Sequence, residues 1–172
     1  MREDVAGGSL LLKAAMNFND TEVTNKGDLV TPAALADYTT DQLLGRANTV
    51  RCESSSPAEA FQFSARVQRP TTTWMVKLNR WGEVTIPSGS VEREQVLSGK
   101  WTTDMEYSFQ ANSQVRVSFG VNNMFDVYPD KTIKRNSFNG IFQHSGYSPF
   151  GFNGRYVSVS YTHLTLPTRS TV

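Results

Sequence analysis

Apolar residues recur at every second position in six separate segments of this 172-residue chain, the period of a strand whose two faces differ. The first segment carries Leu10, Leu12, Ala14, Met16 and Phe18, interleaved with Lys13, Ala15 and Asn17. The second sets Phe61, Phe63, Ala65 and Val67 against Gln62, Ser64, Arg66 and Gln68, and the third sets Trp74, Val76 and Leu78 against Thr73, Met75, Lys77 and Asn79. In the fourth, Trp101, Thr103, Met105, Tyr107 and Phe109 alternate with Thr102, Asp104, Glu106 and Ser108. The fifth sets Val115, Val117, Phe119 and Val121 against Arg116, Ser118, Gly120 and Asn122, and a shorter sixth sets Val157, Val159 and Tyr161 against Tyr156, Ser158 and Ser160. Lys13, Arg66, Lys77, Asp104, Glu106 and Arg116 all fall on the polar face. The pattern predicts an all-β fold, an antiparallel meander of about six strands.

Alternation alone fits two architectures. One is a soluble sandwich or barrel with one face in a core and the other in water; the other is a transmembrane β-barrel, apolar outside and polar inside. The connections favour the second, because they alternate between very short and very long. Strands two and three are joined around Arg69-Pro70-Thr71, and strands four and five by Ala111-Asn112-Ser113-Gln114, both rich in turn formers. The other connections run from about Asp20 to Ala58, Glu83 to Lys100 and Asp126 to Asn153, lengths that are uncommon in compact domains but ordinary for the extracellular loops of outer-membrane barrels. Trp74, Tyr107 and Phe109 lie near the short-turn ends of their strands and Phe18, Phe61 and Trp101 near the long-loop ends, as two interfacial girdles require.

Composition excludes other classes. The longest uninterrupted aliphatic run is Leu10-Leu11-Leu12, far short of the roughly 20 apolar residues of a membrane helix. A formal charge of +1 without a basic cluster argues against nucleic-acid binding. The lone Cys52 makes neither an internal disulfide nor a thiolate metal site. No secretory signal is read at Met1-Arg2-Glu3-Asp4, while Ala6-Gly7-Gly8-Ser9 reads as another short turn whose preceding strand is lost, so that Met1 is expected to be an internal methionine.

Several motifs resemble one family. Val117-Ser118-Phe119-Gly120-Val121-Asn122-Asn123-Met124-Phe125-Asp126-Val127-Tyr128-Pro129-Asp130 resembles the penultimate strand of TonB-dependent outer-membrane receptors. Tyr147-Ser148-Pro149-Phe150-Gly151-Phe152-Asn153-Gly154-Arg155-Tyr156 resembles the run into their last strand, and Leu44-Gly45-Arg46 and Asn79-Arg80-Trp81-Gly82-Glu83-Val84-Thr85 are similar to segments of the same family. The resemblance is to the C-terminal end of the barrel. It implies an incomplete part of a barrel of about 22 strands with a plugged lumen, in the outer membrane of a Gram-negative bacterium, with the long connections outside the cell. It implies active uptake of a scarce nutrient, most often a ferric siderophore or related iron complex, energised by the TonB–ExbB–ExbD complex through a plug domain that this sequence does not contain. The implied partners are outer-membrane lipid, the small ligand and the barrel-insertion machinery, with no enzymatic activity, cofactor or nucleic acid. The competing readings are a passive outer-membrane pore and a soluble β-sandwich ligand-binding module.

Such barrels usually end on an outward-facing aromatic, and counting outward from Val159 and Tyr161 that place is His163. Beyond it alternation stops, and Pro167 argues against a continuing strand. Val159 to Thr168 also equals the translation of GTC TCT TAT ACA CAT CTG ACG CTG CCG ACG, a string similar to a transposon-based sequencing adapter. The expected division is therefore 1–158 as receptor barrel strands and loops and 159–172 as an adapter-derived tail.

No catalytic or metal constellation is present in the sequence. His144 and His163 have no nucleophile or carboxylate at motif spacing, and Asn17-Phe18-Asn19-Asp20 lacks the Gly and terminal Glu of an EF-hand. The candidate ligand contacts are the lumen cations Lys13, Arg66, Lys77 and Arg116, whose field suits an anionic chelate, and Phe138, Phe142, His144, Tyr147 and Phe150 of the last long loop, which suit an aromatic one. Salt-bridged wall packing and ordinary loop packing are the alternatives for the two sets.

Overall fold

The computed structural model describes residues 2–5, 7–24, 32–39, 42 and 44–163. The elements follow in the order β1 (Arg2–Val5), β2 (Gly8–Phe18), α1 (Arg46–Ser54), β3 (Glu59–Gln68), β4 (Thr72–Trp81), β5 (Val84–Ile86), β6 (Gln95–Leu97), β7 (Lys100–Gln110), β8 (Val115–Asn122) and β9 (Tyr156–His163). Seven strands form one antiparallel up-and-down meander in the order β1-β2-β3-β4-β7-β8-β9, while β5 and β6, between β4 and β7 in the chain, pair with each other in a separate sheet. The seven are the six periodic segments plus β1: the strand before the turn at Gly7, expected to be missing, is present in part as Arg2–Val5. Gly7 takes a φ of +76°, a conformation in which a Cβ is strained.

Register decides what the alternation means, because residues directly opposite one another in an antiparallel pair share a face. Leu10 opposes Val67, Val67 opposes Trp74, Trp74 opposes Tyr107, Tyr107 opposes Phe119 and Phe119 opposes Val159. One row further, Leu12, Ala65, Val76, Met105, Val121 and Val157 are matched in the same way. The apolar stripes of six strands therefore fuse into a single face. Six strands about 4.8 Å apart and about 30 Å long give this face an area of about 700 Å², beyond the few hundred Å² that soluble monomers expose in one patch. No second sheet packs on it among the described residues: Phe119 is 44% exposed and Val159 65%. The buried apolar residues there are Val84, Ile86 and Leu97, which belong to the small β5–β6 hairpin. A β-sandwich core is thus not built from the described residues.

Strand lengths agree with this picture. The 11 residues of β2 extend about 36 Å, or about 26 Å once tilted by about 45°, close to the ~25 Å apolar band of an outer-membrane barrel. The aromatic residues gather at two levels. Near the short turns, Trp74 and Tyr107 have ring centroids 4.1 Å apart, Tyr107 and Phe109 5.9 Å, and Phe109 and Phe119 6.4 Å. At the long-loop end, Phe18 meets Phe61 edge-on at 5.6 Å. Within β2–β4 and β7–β9 the ionised side chains on the apolar face are Glu59 and Arg80, paired at 3.6 Å beside Trp101. The sequence pattern did not include them. They sit at strand ends, where long side chains can cover apolar surface and still reach water.

The short turns are held locally. Arg69 N–H donates to Thr72 O at 2.8 Å, and the Asn112 carboxamide oxygen accepts from the backbone of Gln114 and Val115, both at 2.8 Å. The long connections carry structure that periodicity did not reveal. The second continues β4 and β7 as the β5–β6 hairpin, after a break at Gly82, where a Cβ would lie 2.7 Å from Glu59 O. The first contains α1, and the third contains a 3-10 turn at Lys134–Asn136 and an isolated bridge between Lys131 and His144. β9 runs through His163, which opposes Val115, so Val159 to His163 of the expected tail lie in this strand, and the rest of that tail, Leu164 to Val172, lies outside the described residues.

Candidate functional site

The polar face is organised around Asp104. Its carboxylate accepts from Asn79 Nδ2 at 3.1 Å and from the Asn123 backbone N–H at 2.9 Å, with Lys77 Nζ at 3.9 Å. Asn79 in turn accepts from Gln62 Nε2 at 3.0 Å, and Thr102 Oγ1 accepts from Trp81 Nε1 at 3.3 Å. Asn79, Thr102 and Ser108 are buried on this face, so the wall is faced with small, mutually satisfied polar groups. Lys13, Arg66, Lys77 and Arg116 all lie on this face, as the alternation required. Lys13 and Lys77 share one cross-strand row through Ser64, Arg66 lies one row toward the short turns, and Arg116 is opposite Gln110 at the short-turn end. Lys77 carries an ion pair, so the four cations are not an equivalent set. Gln62, Asn79 and Thr102 join them here. They lay within polar stripes in the sequence, but nothing in spacing announces a cross-strand hydrogen bond.

The three long connections are tied together at the other end of the strands. Arg46 at the start of α1 grips Glu94 with two hydrogen bonds of 2.6 and 2.7 Å, the forked geometry that makes such pairs strong. The Gln95 carboxamide donates to Lys131 O at 2.8 Å and accepts from the Ile133 N–H at 2.9 Å, so one side chain copies a strand partner for the third connection. Asn136 Nδ2 donates to Arg93 O at 2.6 Å. Asp130 accepts from the Ser98 N–H at 2.6 Å and pairs with Lys100 Nζ at 2.8 Å. The hydrogen bonds from Lys100 and Ser98 hold its carboxyl down at about 2.

Between the β5–β6 hairpin and the third connection lies a cavity of about 440 Å³. Phe142, His144, Tyr147 and Phe152 line it together with Ile86, Thr132 and Asn136. Of the expected loop contacts, Phe142, His144 and Tyr147 are brought together here. Phe138 and Phe150 are not among the lining residues, and Phe138 is 72% exposed at a φ of +48°. Ile86, Thr132, Asn136 and Phe152 are additions. Ile86 is unreadable from sequence because it comes from a different connection, whereas Phe152 continues the aromatic series of the third. His144 is steadied by stacking on Tyr128 at 5.5 Å.

No family model matches the chain, and no curated protein matches it in sequence. Solved structures do. A mutant of the ferric enterobactin receptor PfeA of Pseudomonas aeruginosa is similar with a TM-score of 0.57 and 12% identity, over 92% of this chain and 20% of that one. A second PfeA mutant gives 0.59 and 11%, over 95% and 21%. The ferric-catecholate import receptor Fiu of E. coli K12 gives 0.47 and 14%, over 69% and 16%. The chain spans about a fifth of the length of the PfeA receptors it matches. At this identity the likeness establishes the fold: an antiparallel meander like a stretch of a β-barrel receptor.

Proposed function

We propose that this chain is part of the wall and external loops of a TonB-dependent receptor in the outer membrane of a Gram-negative bacterium, taking up an iron complex. The observation that carries the reading is the register, which fuses six apolar stripes into one uncovered face bordered by two aromatic bands. Such a face needs a nonpolar solvent, and lipid provides one. The polar face then fronts the lumen and its plug, and the tied long connections face outward, where a ligand arrives. The similarity to ferric enterobactin receptors supports iron complexes over other nutrients. The division at residue 158 belongs to the same proposal, with 1–158 as barrel wall and loops and 159–172 as an adapter-derived tail. Energy from TonB–ExbB–ExbD would enter through a plug domain carried elsewhere in the protein.

The test is to recover the complete gene from independently prepared DNA and express it in an iron-starved host. A plug domain and TonB box encoded upstream, with uptake of a ferric chelate that stops when tonB is deleted, is the expected result. Uptake that persists without TonB would point to a passive pore, and a reading frame with no plug would remove the receptor assignment. The same DNA tests the tail: an unchanged ending after Ser158 would sink the adapter origin.

A further inference from the structure

The apolar face is not evenly filled. Alanine is disfavoured in strands, yet Ala14 of β2 and Ala65 of β3 stand on this face, Ala14 opposite Phe63 and Ala65 opposite Leu12. With Val76 and Leu78 of β4 these residues enclose a groove of about 480 Å³. The next residue after Leu78 on the same face of β4 is Arg80, with Phe61 opposite it on β3 and Trp101 opposite it on β7. From Val76 to Arg80 the strand runs about 13 Å, or about 10 Å of depth at a tilt of about 45°, so groove and guanidinium fall within one half of the ~25 Å apolar band.

Charge on this face is one-sided. In the strands around the groove, β2, β3, β4 and β7, its ionised groups are Arg80 and Glu59, both at the long-loop end, whereas Leu10, Val67, Trp74 and Tyr107 occupy the short-turn end. The Arg80 guanidinium is fixed in place. It donates to Trp81 O, pairs with Glu59 at 3.6 Å and lies against Gly99, where a Cβ would collide with it. A guanidinium has five N–H donors, so these contacts leave it able to hold an oxyanion. The Glu59 pair is longer than the roughly 2.7–2.9 Å of a direct charge-assisted bond, and Glu59 is half-exposed, free to turn toward water.

We infer that Arg80 and the groove form a seat for one phosphorylated acyl lipid, with a phosphate on the guanidinium and one acyl chain lying past Phe61 between Ala14 and Ala65. The inference rests on the outer-membrane reading and adds a bound molecule that is not cargo. Because the long connections face outward in that reading, the lipid is the outer leaflet's own phosphorylated glycolipid, lipid A. Within lipid an acyl chain gains from close packing, not from leaving water, and a groove floored by two alanines gives it more contact than a flat wall does. The planar guanidinium suits a phosphate, which it can grip with two parallel hydrogen bonds.

Native mass spectrometry of the complete receptor in detergent tests the seat with two probes, lipid A and lipid A stripped of its phosphates. The unaltered protein is expected to retain lipid A about fivefold or more over the stripped form. Arg80→Gln should erase that preference, Glu59→Gln should raise lipid A retention by removing a competing anion, and Ala65→Leu, which fills the groove, should lower retention of both probes. A heat-dependent shift on a gel shows that each variant forms the barrel, and Ala14→Leu fills the groove from the other strand should Ala65→Leu not fold. Equal retention of the two probes by the unaltered protein, a preference that survives Arg80→Gln, or undiminished retention with the groove filled would overturn the seat. TonB-dependent iron uptake by the same protein would then leave the receptor reading standing, whereas a lipid preference in a barrel without a plug would support the seat and remove the receptor.

Discussion

Phe119 and Ser118 are neighbours in β8 with opposite surroundings. Phe119 stands on the apolar face between Tyr107 and Val159, and Ser118 on the polar face between Ser108 and Ser160. If the apolar face meets lipid, Phe119→Arg in the complete barrel, at the level of the short-turn aromatic band, costs about 1 kcal/mol, against the about 2–4 kcal/mol expected at the bilayer midplane, and Ser118→Arg is tolerated in the lumen. Denaturant titration of the two variants reads this directly, and equal damage would indicate a sheet covered on both sides. That contrast was fully legible in the sequence, since strand alternation specifies faces even when partners are unknown. The job of the Asn122-Asn123-Met124-Phe125-Asp126 run was not. Asn123, at a φ of +50°, donates from Nδ2 to Val127 O at 2.7 Å and accepts from the Val127 N–H at 2.9 Å, closing the turn that ends β8. Asp126, also at positive φ, accepts from the Arg155 N–H at 2.8 Å, and a Cβ on Gly154 would collide with the Asp126 carboxylate and the Tyr128 hydroxyl. These residues lock the base of the third connection to the start of β9. Replacing Asn123 with Ala removes both hydrogen bonds and leaves a Cβ in a left-handed turn, an expected cost of about 2 kcal/mol. The readout is faster protease cleavage between residues 127 and 155, and an unchanged cleavage rate would show that the turn stands without the side chain.

At the level of elements, the outer end of the sheet is held by cross-connections between hairpin and loop, and one of them is sensitive to acid. Asp130 receives hydrogen bonds from Lys100 and the Ser98 N–H, which lower its carboxyl to about 2 from an ordinary value near 4. A lowered carboxyl stabilises the folded state above its unfolded value and loses that contribution as pH falls toward the folded one. The latch between β6–β7 and the third connection should therefore hold from pH 7 down to about 4 and loosen between about 4 and 2. Hydrogen exchange across residues 127–153 at stepped pH would show the loosening, and Asp130→Asn should bring it to neutral pH. Exchange in that variant equal to the parent's at pH 7 would mean that Gln95, with its bonds to Lys131 and Ile133, holds the segment unaided. Elements of this kind were poorly legible in the sequence. β5 and β6 have three residues each, too few for alternation to register. Helix α1 reads Arg-Ala-Asn-Thr-Val-Arg-Cys-Glu-Ser, with no apolar stripe and no side-chain cap at Gly45. Its anchorage is tertiary, through Arg46 on Glu94 and through Ser55 Oγ donating to Thr85 O at 2.8 Å. The aromatic cavity was half legible for the same reason: Phe142, His144 and Tyr147 lie within six residues, whereas Ile86 arrives from another hairpin.

Among the described residues the sheet has two unpaired margins, since β1 pairs there only with β2 and β9 only with β8. In water an edge strand can hydrogen-bond to solvent, but in the hydrocarbon layer an unpaired backbone N–H or C=O costs several kcal/mol. The eight residues of β9 leave about four such N–H groups and four C=O groups facing outward on the far side, so the edge penalty is comparable with or larger than a whole domain's net stability of about 5–15 kcal/mol. The same sheet carries an apolar face too broad to remain monomeric in water. It is unsuited to either solvent until its margins are closed by further strands, and that mismatch is the physical content of its resemblance to a fifth of a receptor. The 172-residue polypeptide alone should accordingly neither insert into vesicles nor pass a ferric chelate, and after refolding in detergent it should migrate at the same position on a gel with and without heating. The complete barrel, with both margins paired, should shift on heating as closed barrels do. A heat-resistant species formed by the isolated chain would require β1 and β9 to find partners of their own, in a second copy or in each other, and would replace the open-wall picture with a self-closing one.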